Sequence, residues 1–244
     1  MLKFFTLNIL NIFDYFYQKK FINFLKRRNI DNFDVFLDIG AHKGESINLF
    51  ASNFDINKIY SFEPNPISFE ILSKNIKKIN NKFSKTKIIL ENFALGSENR
   101  KILMKHISES SSSTIRNLNT NSKYFKKKFF FLKNLNNQSI FEEIEVKQIL
   151  LSEYVKKQKI KKITFIKIDT EGYELEVLKG AKDILDKTSY ILFEHHYDDM
   201  IIKNYSFSDM HHFLKENNFK QLYKSKMPFR KTFEYIYVNK LAIL

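Results

Sequence analysis

The feature that most constrains this chain is an alternation of short β-rich runs with segments of helical spacing, repeated from residue 34 onward. The runs are Asp34 to Asp38, Lys58 to Glu63, Lys87 to Glu91, Ile163 to Asp169 and Tyr190 to Glu194, with Phe219 to Tyr223 and Phe233 to Val238 as a late pair. Between them Glu45 to Asn53, Pro66 to Asn80, Tyr173 to Leu185 and Phe207 to Asn217 repeat apolar residues at the helical period. A helix that returns the chain to the same edge makes successive strands parallel and covers the sheet on both faces. The expected fold is therefore α/β: a doubly wound, mostly parallel sheet with one late antiparallel strand. A chain of 244 residues can bury one sizeable core but is short for two. The expected organisation is a helical extension over 1–30 and one domain over 31–244.

Composition narrows the chemistry. Apolar residues make up 43% of the chain, with 26 Phe and 12 Tyr, which sets aside a disordered or fibrous protein. There is no cysteine, so disulfides, thiolate metal sites and thiol nucleophiles are all excluded. The net charge of +14 invites an acidic partner such as nucleic acid, a nucleotide-sugar or an anionic lipid surface. The excess is mostly lysine, beside abundant Asn, Ile and Phe, a bias that AT-rich coding alone would produce. Charge of that kind reports a tendency to associate and does not name a substrate.

Near the start, Phe5, Ile9, Ile12, Phe13 and Phe16 recur at helical spacing, followed by Lys19, Lys20, Lys26, Arg27 and Arg28. Asn8, Asn11 and Asp14 interrupt the apolar run, which falls well short of the roughly 18 apolar residues a membrane span needs. The expectation is a cytoplasmic protein whose first helix packs on the domain, with peripheral membrane contact through that helix as the alternative. The stretch Glu109 to Gln138, with the serine run Ser110 to Ser113 and clusters of Lys and Asn, breaks the alternation. It reads as an insertion over the site, a partly mobile lid, or else as a solvated loop.

Four features fall at the ends of successive strands, where ligands of open α/β sheets sit. The first is Asp38-Ile39-Gly40-Ala41-His42-Lys43-Gly44-Glu45. Its glycines allow a tight turn and a close approach to a ligand, and the acid before the turn suits a cationic or hydroxyl-bearing ligand better than a pyrophosphate. The second is Glu63 in Ser61-Phe62-Glu63-Pro64-Asn65-Pro66, whose carboxylate can accept both hydroxyl protons of a ribose. The third, Asn92-Phe93-Ala94-Leu95-Gly96, could cup the edge of a flat base. The fourth, Lys167-Ile168-Asp169-Thr170-Glu171-Gly172-Tyr173-Glu174, places Asp169 and Glu171 between a strand end and a helix start, while Glu174 reads as a helix cap.

In this order, DIGAHKGES, SFEPNP, ALG, the serine run and KIDTEGYELEVLKGA resemble the FkbM-type methyltransferase family, over Asp34 to Glu194. The resemblance implies a class I fold that binds S-adenosylmethionine (SAM) and O-methylates a hydroxyl on a sugar or sugar-bearing product. It places Asp38, Gly40 and Gly44 on the cofactor loop, Glu63 at the ribose, and Asp169, Glu171 and Gly172 in the family signature. His42 stands where class I loops more often have Gly and this family often Asn, a departure that touches the loop's geometry. The expected cofactor contacts are Asp38, Gly40, His42, Gly44, Glu63, Asn92 and Ala94.

For chemistry, Asp169 is the first candidate base; His195-His196 follow the fifth strand and face the crevice by position, so that one of them can be a base, with His195 the second candidate, and Glu171 completes the catalytic set. Asp169, Glu171 and Glu194 are oxygen donors of the kind a hard cation takes, but no metal is assigned. The expected acceptor is a sugar, nucleotide-sugar or glycan precursor of a surface polysaccharide. Nucleic acid is disfavoured: the [DN]PP[YF] motif of amino-methylating enzymes is absent, Pro occurring only at 64, 66 and 228, and attack through a thiolate is excluded. An NAD-type oxidoreductase lacks its G-x-G-x-x-G, and the alternatives to the sugar reading are a nucleic-acid methyltransferase and a non-catalytic SAM-binding module.

Overall fold

The computed structural model describes residues 18–106, 113–123, 125–126, 142–228 and 230–242, and within the helix Pro66–Lys82 it describes only the backbone of residues 79–81. The main sheet contains β1 (Asn32–Ile39), β2 (Asp55–Phe62), β3 (Lys87–Glu91), β8 (Ile163–Ile168), β9 (Thr188–His196), β10 (Phe219–Lys226) and β11 (Thr232–Asn239). Its order is β10-β11-β9-β8-β1-β2-β3, parallel from β9 to β3, with β11 antiparallel to both β9 and β10. This is the expected doubly wound α/β sheet with its late antiparallel strand.

Two apolar layers hold the sheet. On one face Phe33, Phe36 and Phe165 meet the helices Glu45–Ala51 and Pro66–Lys82. Phe36 stacks on Phe50 at 4.5 Å and Phe33 on Phe165 at 5.3 Å. On the other, Leu37, Ile166, Ile168 and Phe193 pack against the helices Leu151–Lys157, Glu174–Gly180 and Phe207–Glu216. Each buried side chain of this size contributes about 1.5–3 kcal/mol, so the double covering carries most of the stability.

The helix expected over Tyr173 to Leu185 is broken. It runs Glu174–Gly180 and gives way to a 3-10 turn, Lys182–Lys187. A Cβ on Gly180 would lie 1.9 Å from the Gly96 carbonyl oxygen, so only glycine lets the helix pass this close to the chain just after the short strand Ala94–Leu95.

The helix at 18–26 packs on the domain: Phe21, Ile22 and Leu25 are buried, and Phe21 lies 5.8 Å from Phe50. The apolar positions Phe5 to Phe16 lie outside the described residues. Among the described residues no helix is long and apolar enough to cross a membrane.

The segment between β3 and β8 builds a second sheet from β4 (Ala94–Leu95), β5 (Arg100–His106), β6 (Ser113–Thr114) and β7 (Glu142–Ile149), in the order β4-β7-β5-β6. Ala94, Ile102, Met104 and Val146 give it a small core of its own. The expected insertion therefore begins earlier than Glu109 and is partly a folded sheet. Ser110 to Ser112 and Lys127 to Gln138 lie outside the described residues.

Candidate active site

β1, β2, β8 and β9 end along one edge of the main sheet, and a cavity of about 340 Å³ opens there. At the end of β1 the Gly40 and Ala41 amides both bond the Phe62 carbonyl, and the chain turns through Gly40 at φ +83°. A Cβ on Gly40 would meet the Asp169 carbonyl oxygen at 1.8 Å, so this turn requires glycine. Next, His42 adopts φ +48°, a left-handed conformation that His, like Asn, enters more readily than most residues. That backbone aims the His42 N–H at Glu63 Oε2, 2.8 Å away, while its ring meets Glu45 at 3.2 Å. His42 thus fits where Gly or Asn is usual.

Glu63 closes β2 and is only 5% exposed. Its second oxygen accepts the Asn65 N–H at 2.9 Å. Burial pushes its pKa up to about 7, against the pull of those two amides. Asn65 also caps the following helix through the Ile67 and Ser68 amides, and its amide nitrogen reaches His106 on β5 at 2.8 Å and Ser113 on β6 at 2.9 Å. One asparagine thus ties the second sheet to the cavity, and brings the end of the serine run there.

On the floor, Lys167 lies beneath three carboxylates with its side chain 13% exposed. Its ammonium donates to Asp169 Oδ2 at 3.1 Å. Burial alone would lower its pKa, but Asp169, Asp38 and Glu194 together raise it. Asp38 lies deeper: fully buried, it accepts Ser46 Oγ at 2.6 Å through Oδ2, and its Oδ1 has no hydrogen-bond partner. Burial raises the Asp38 pKa, opposed by Lys167 and Ser46. Burial, then Asp169 and Glu234, hold the Glu194 carboxyl well above the usual range.

The loop after β8 is built from left-handed residues, Glu171 at φ +51° and Gly172 at φ +95°. Such backbone persists only where its surroundings fix it. Glu174 does so by accepting the Thr170 and Gly172 amides and the Tyr205 hydroxyl, while Thr114 Oγ1 and Arg116 Nε bond the Glu171 and Gly172 carbonyls. Glu174 is a structural brace, as its cap position suggested.

The sequence from Asp38 to Lys220 matches the methyltransferase FkbM domain. The chain belongs to the FkbM methyltransferase family. Among solved structures it is similar to the FkbM methyltransferase from Methylobacillus flagellatus KT, with TM-score 0.54 and 15% identity over 84% of this chain. The chain spans 43% of the length of that protein. It is also similar to magnesium protoporphyrin IX methyltransferase from Synechocystis PCC 6803 with bound SAM, with TM-score 0.53, 7% identity, 94% of this chain and 81% of that one covered. At these identities the likeness is one of fold. No curated protein matches.

Of the residues expected at this family's cofactor site, Gly40, His42, Glu63 and Ala94 line the cavity. Asp38, Gly44 and Asn92 do not, and shape it from behind. Gly44 caps the helix Glu45–Ala51, and a Cβ there would press on Leu72 at 3.0 Å. Asn92, expected beside a base, donates instead to the Glu63 and Pro64 carbonyls at 2.8 and 3.2 Å.

Of the expected catalytic residues, Asp169 and Glu171 line the cavity and His195 does not. The expectation that His195 faces the crevice is corrected: its ring lies on the other face of β9, among Tyr197, Phe207 and Tyr205. His196 takes its place, with Nε2 3.4 Å from Glu171 Oε2 and Nδ1 3.0 Å from Thr232 Oγ1. Asp169 turns to Lys167 and Glu171 to His196, so each of these acids is engaged by a neighbouring basic side chain. Among the described residues no group of three or more His, Asp and Glu is arranged to hold a metal. The sequence reading also missed Gln18, Phe21, Met227 and Arg230, which line the cavity from the two ends of the chain.

Proposed function

We propose that this chain is a SAM-dependent O-methyltransferase, acting in the cytoplasm on a hydroxyl of a sugar in a surface polysaccharide or glycan precursor. The observation that carries the reading is Glu63, a buried carboxylate at the cavity wall beside the Gly40 turn, bonded to it through the His42 N–H. Each of its oxygens takes one backbone N–H and keeps a further lone pair for a hydroxyl, which matches the paired hydroxyls of a ribose.

The rest of the wall fits the same cofactor. Phe93, Ala94, Met104 and Ile115 offer apolar surface for a base, and the glycine turn leaves no side chain in the way. When bound, SAM supplies a methyl carbon activated by a positively charged sulfur. Lys167 fixes the Asp169 carboxylate, and Asp169 with Glu171 orients the acceptor hydroxyl, so positioning supplies most of the rate. Ser113 and Ile115 at the wall support the reading of the insertion as part of the site.

The acceptor side favours an uncharged hydroxyl compound over nucleic acid. Glu45, Glu63, Asp169, Glu171, Glu194 and Glu234 all line the cavity, and so many carboxylates oppose a phosphate despite the overall charge of +14. Beyond them Gln18, Phe21, Leu49 and Met227 give the mixed polar and apolar wall a sugar ring suits. The test is mass spectrometry of glycan precursors incubated with the protein and methyl-labelled SAM. Label on a sugar oxygen supports the reading; label on RNA alone overturns it.

A further inference from the structure

The acids around His196 come from every element packed against it. Glu171 stands on the loop after β8 and Glu174 on the helix that follows, Glu194 on its own strand, Asp198 just beyond it with Oδ2 3.8 Å from Nδ1, and Glu234 on β11. The cations nearby are Lys203, whose ammonium bonds the His196 carbonyl, and Lys167 on the floor. Nδ1 is engaged by Thr232, while Nε2 makes no hydrogen bond and lies buried just behind the cavity wall, 3.4 Å from Glu171 Oε2, where a small shift of the Glu171 side chain opens it to the cavity that both residues line. This is the arrangement of a base held from behind with one nitrogen left over.

Resting on the cofactor reading above, we infer that His196 is a charge-exchange base: it releases its proton when a positively charged sulfur enters the cavity and then accepts the acceptor's hydroxyl proton. The carboxylates favour a positive charge at this end of the cavity. In the empty protein the imidazolium supplies it: burial works against the charged ring, but Asp198, Glu171 and Glu194 outweigh burial and hold its pKa up to about 9. A second cation in the same poorly hydrated cavity repels the first and draws that pKa toward neutrality. During transfer the acceptor oxygen bonds the methyl carbon, the carbon–sulfur pair stays on sulfur, and the hydroxyl proton passes to Nε2. One positive charge disappears at sulfur as another appears at His196, so the cavity's charge is conserved across the reaction.

The experiment is calorimetry of the full chain with SAM and, separately, with S-adenosylhomocysteine (SAH), near pH 7.5 in two buffers of different ionisation enthalpy. Any proton lost from Glu63 on meeting the ribose is common to both ligands and cancels in the difference. SAM should release about 0.5–1 proton more than SAH, and His196→Gln should remove that excess. If the variant fails to fold, the His196 ring resonances of the unaltered protein give the same answer, shifting to the neutral form with the charged-amine analogue sinefungin but not with SAH. Equal proton release for two ligands that both bind overturns the charge exchange and leaves the cofactor reading standing. Binding of neither ligand overturns both.

Discussion

His195 and His196 are chain neighbours that occupy two different regions. Behind β9, His195 is 4% exposed, its ring lies 4.8 Å from Tyr197, and burial, helped by the charges of Lys203 and His196, pushes its pKa down to about 3. In front, carboxylates surround His196 and win against burial, taking its pKa to about 9. The same side chain is kept neutral on one face and charged on the other. Which face a residue occupies, rather than its identity, decides its chemistry here.

The largest test of this contrast removes the cation beneath the front face. Lys167→Met leaves Asp38, Asp169 and Glu194 without their ammonium and should cost about 3–5 kcal/mol in denaturant unfolding. A loss below about 1 kcal/mol would mean the front face is not a coupled cluster. Next, His196→Gln should lower turnover by roughly 10²–10⁴ and, by removing the cation that SAM must displace, tighten SAM binding by roughly tenfold or more near pH 7.5, whereas His195→Gln should change turnover and SAM affinity less than tenfold; the reverse order would sink the assignment of faces. Glu63→Gln should weaken SAM binding by about 1–3 kcal/mol. In the unaltered protein SAM affinity should decline as pH falls through about 7, because protonating Glu63 removes an acceptor.

The smallest effect is the most discriminating. His195→Phe should alter stability at neutral pH by less than about 1 kcal/mol, because the buried Nδ1 it removes has no hydrogen-bond partner. The pH dependence separates the two histidines by sign. With its folded pKa below the unfolded value, His195 contributes stability present above about pH 6.5 that is lost as pH falls toward 3. With its folded pKa raised, His196 contributes stability present below about pH 6.5 that is lost as pH rises through 9. His195→Phe should flatten the acid limb of a melting-temperature profile and His196→Gln the alkaline limb. Identical profiles would remove the contrast.

The strand ends were legible because glycines and acids punctuate them, and the parallel sense of the main sheet followed from the alternation. The direction of side chains was not. β9 is buried on both faces, with Phe193 and Leu192 alike enclosed, so no polar alternation marks its parity. A signal was nevertheless available: residues two apart share a face, so placing Glu194 at the crevice also places His196 there and excludes His195. The second sheet was not read from the sequence, although Ile144, Val146 and Gln148 alternate with charged neighbours in β7. The support roles of Asp38 and Asn92 were beyond a sequence reading, because a strand-end position does not tell a wall residue from one behind it.

The contact between Gly40 and the Asp169 carbonyl has a consequence for ligand traffic. The Asp169 N–H also bonds the Ile39 carbonyl, so the seam between β1 and β8 is closed backbone against backbone and offers a ligand no way through. Entry and product departure must then be accommodated by the outer walls, the helix at 18–26 with Gln18 and Phe21 and the second sheet with Ser113 and Ile115. For the proposed reaction, product departure is then a matter for those outer walls and not for the sheet edge beneath them.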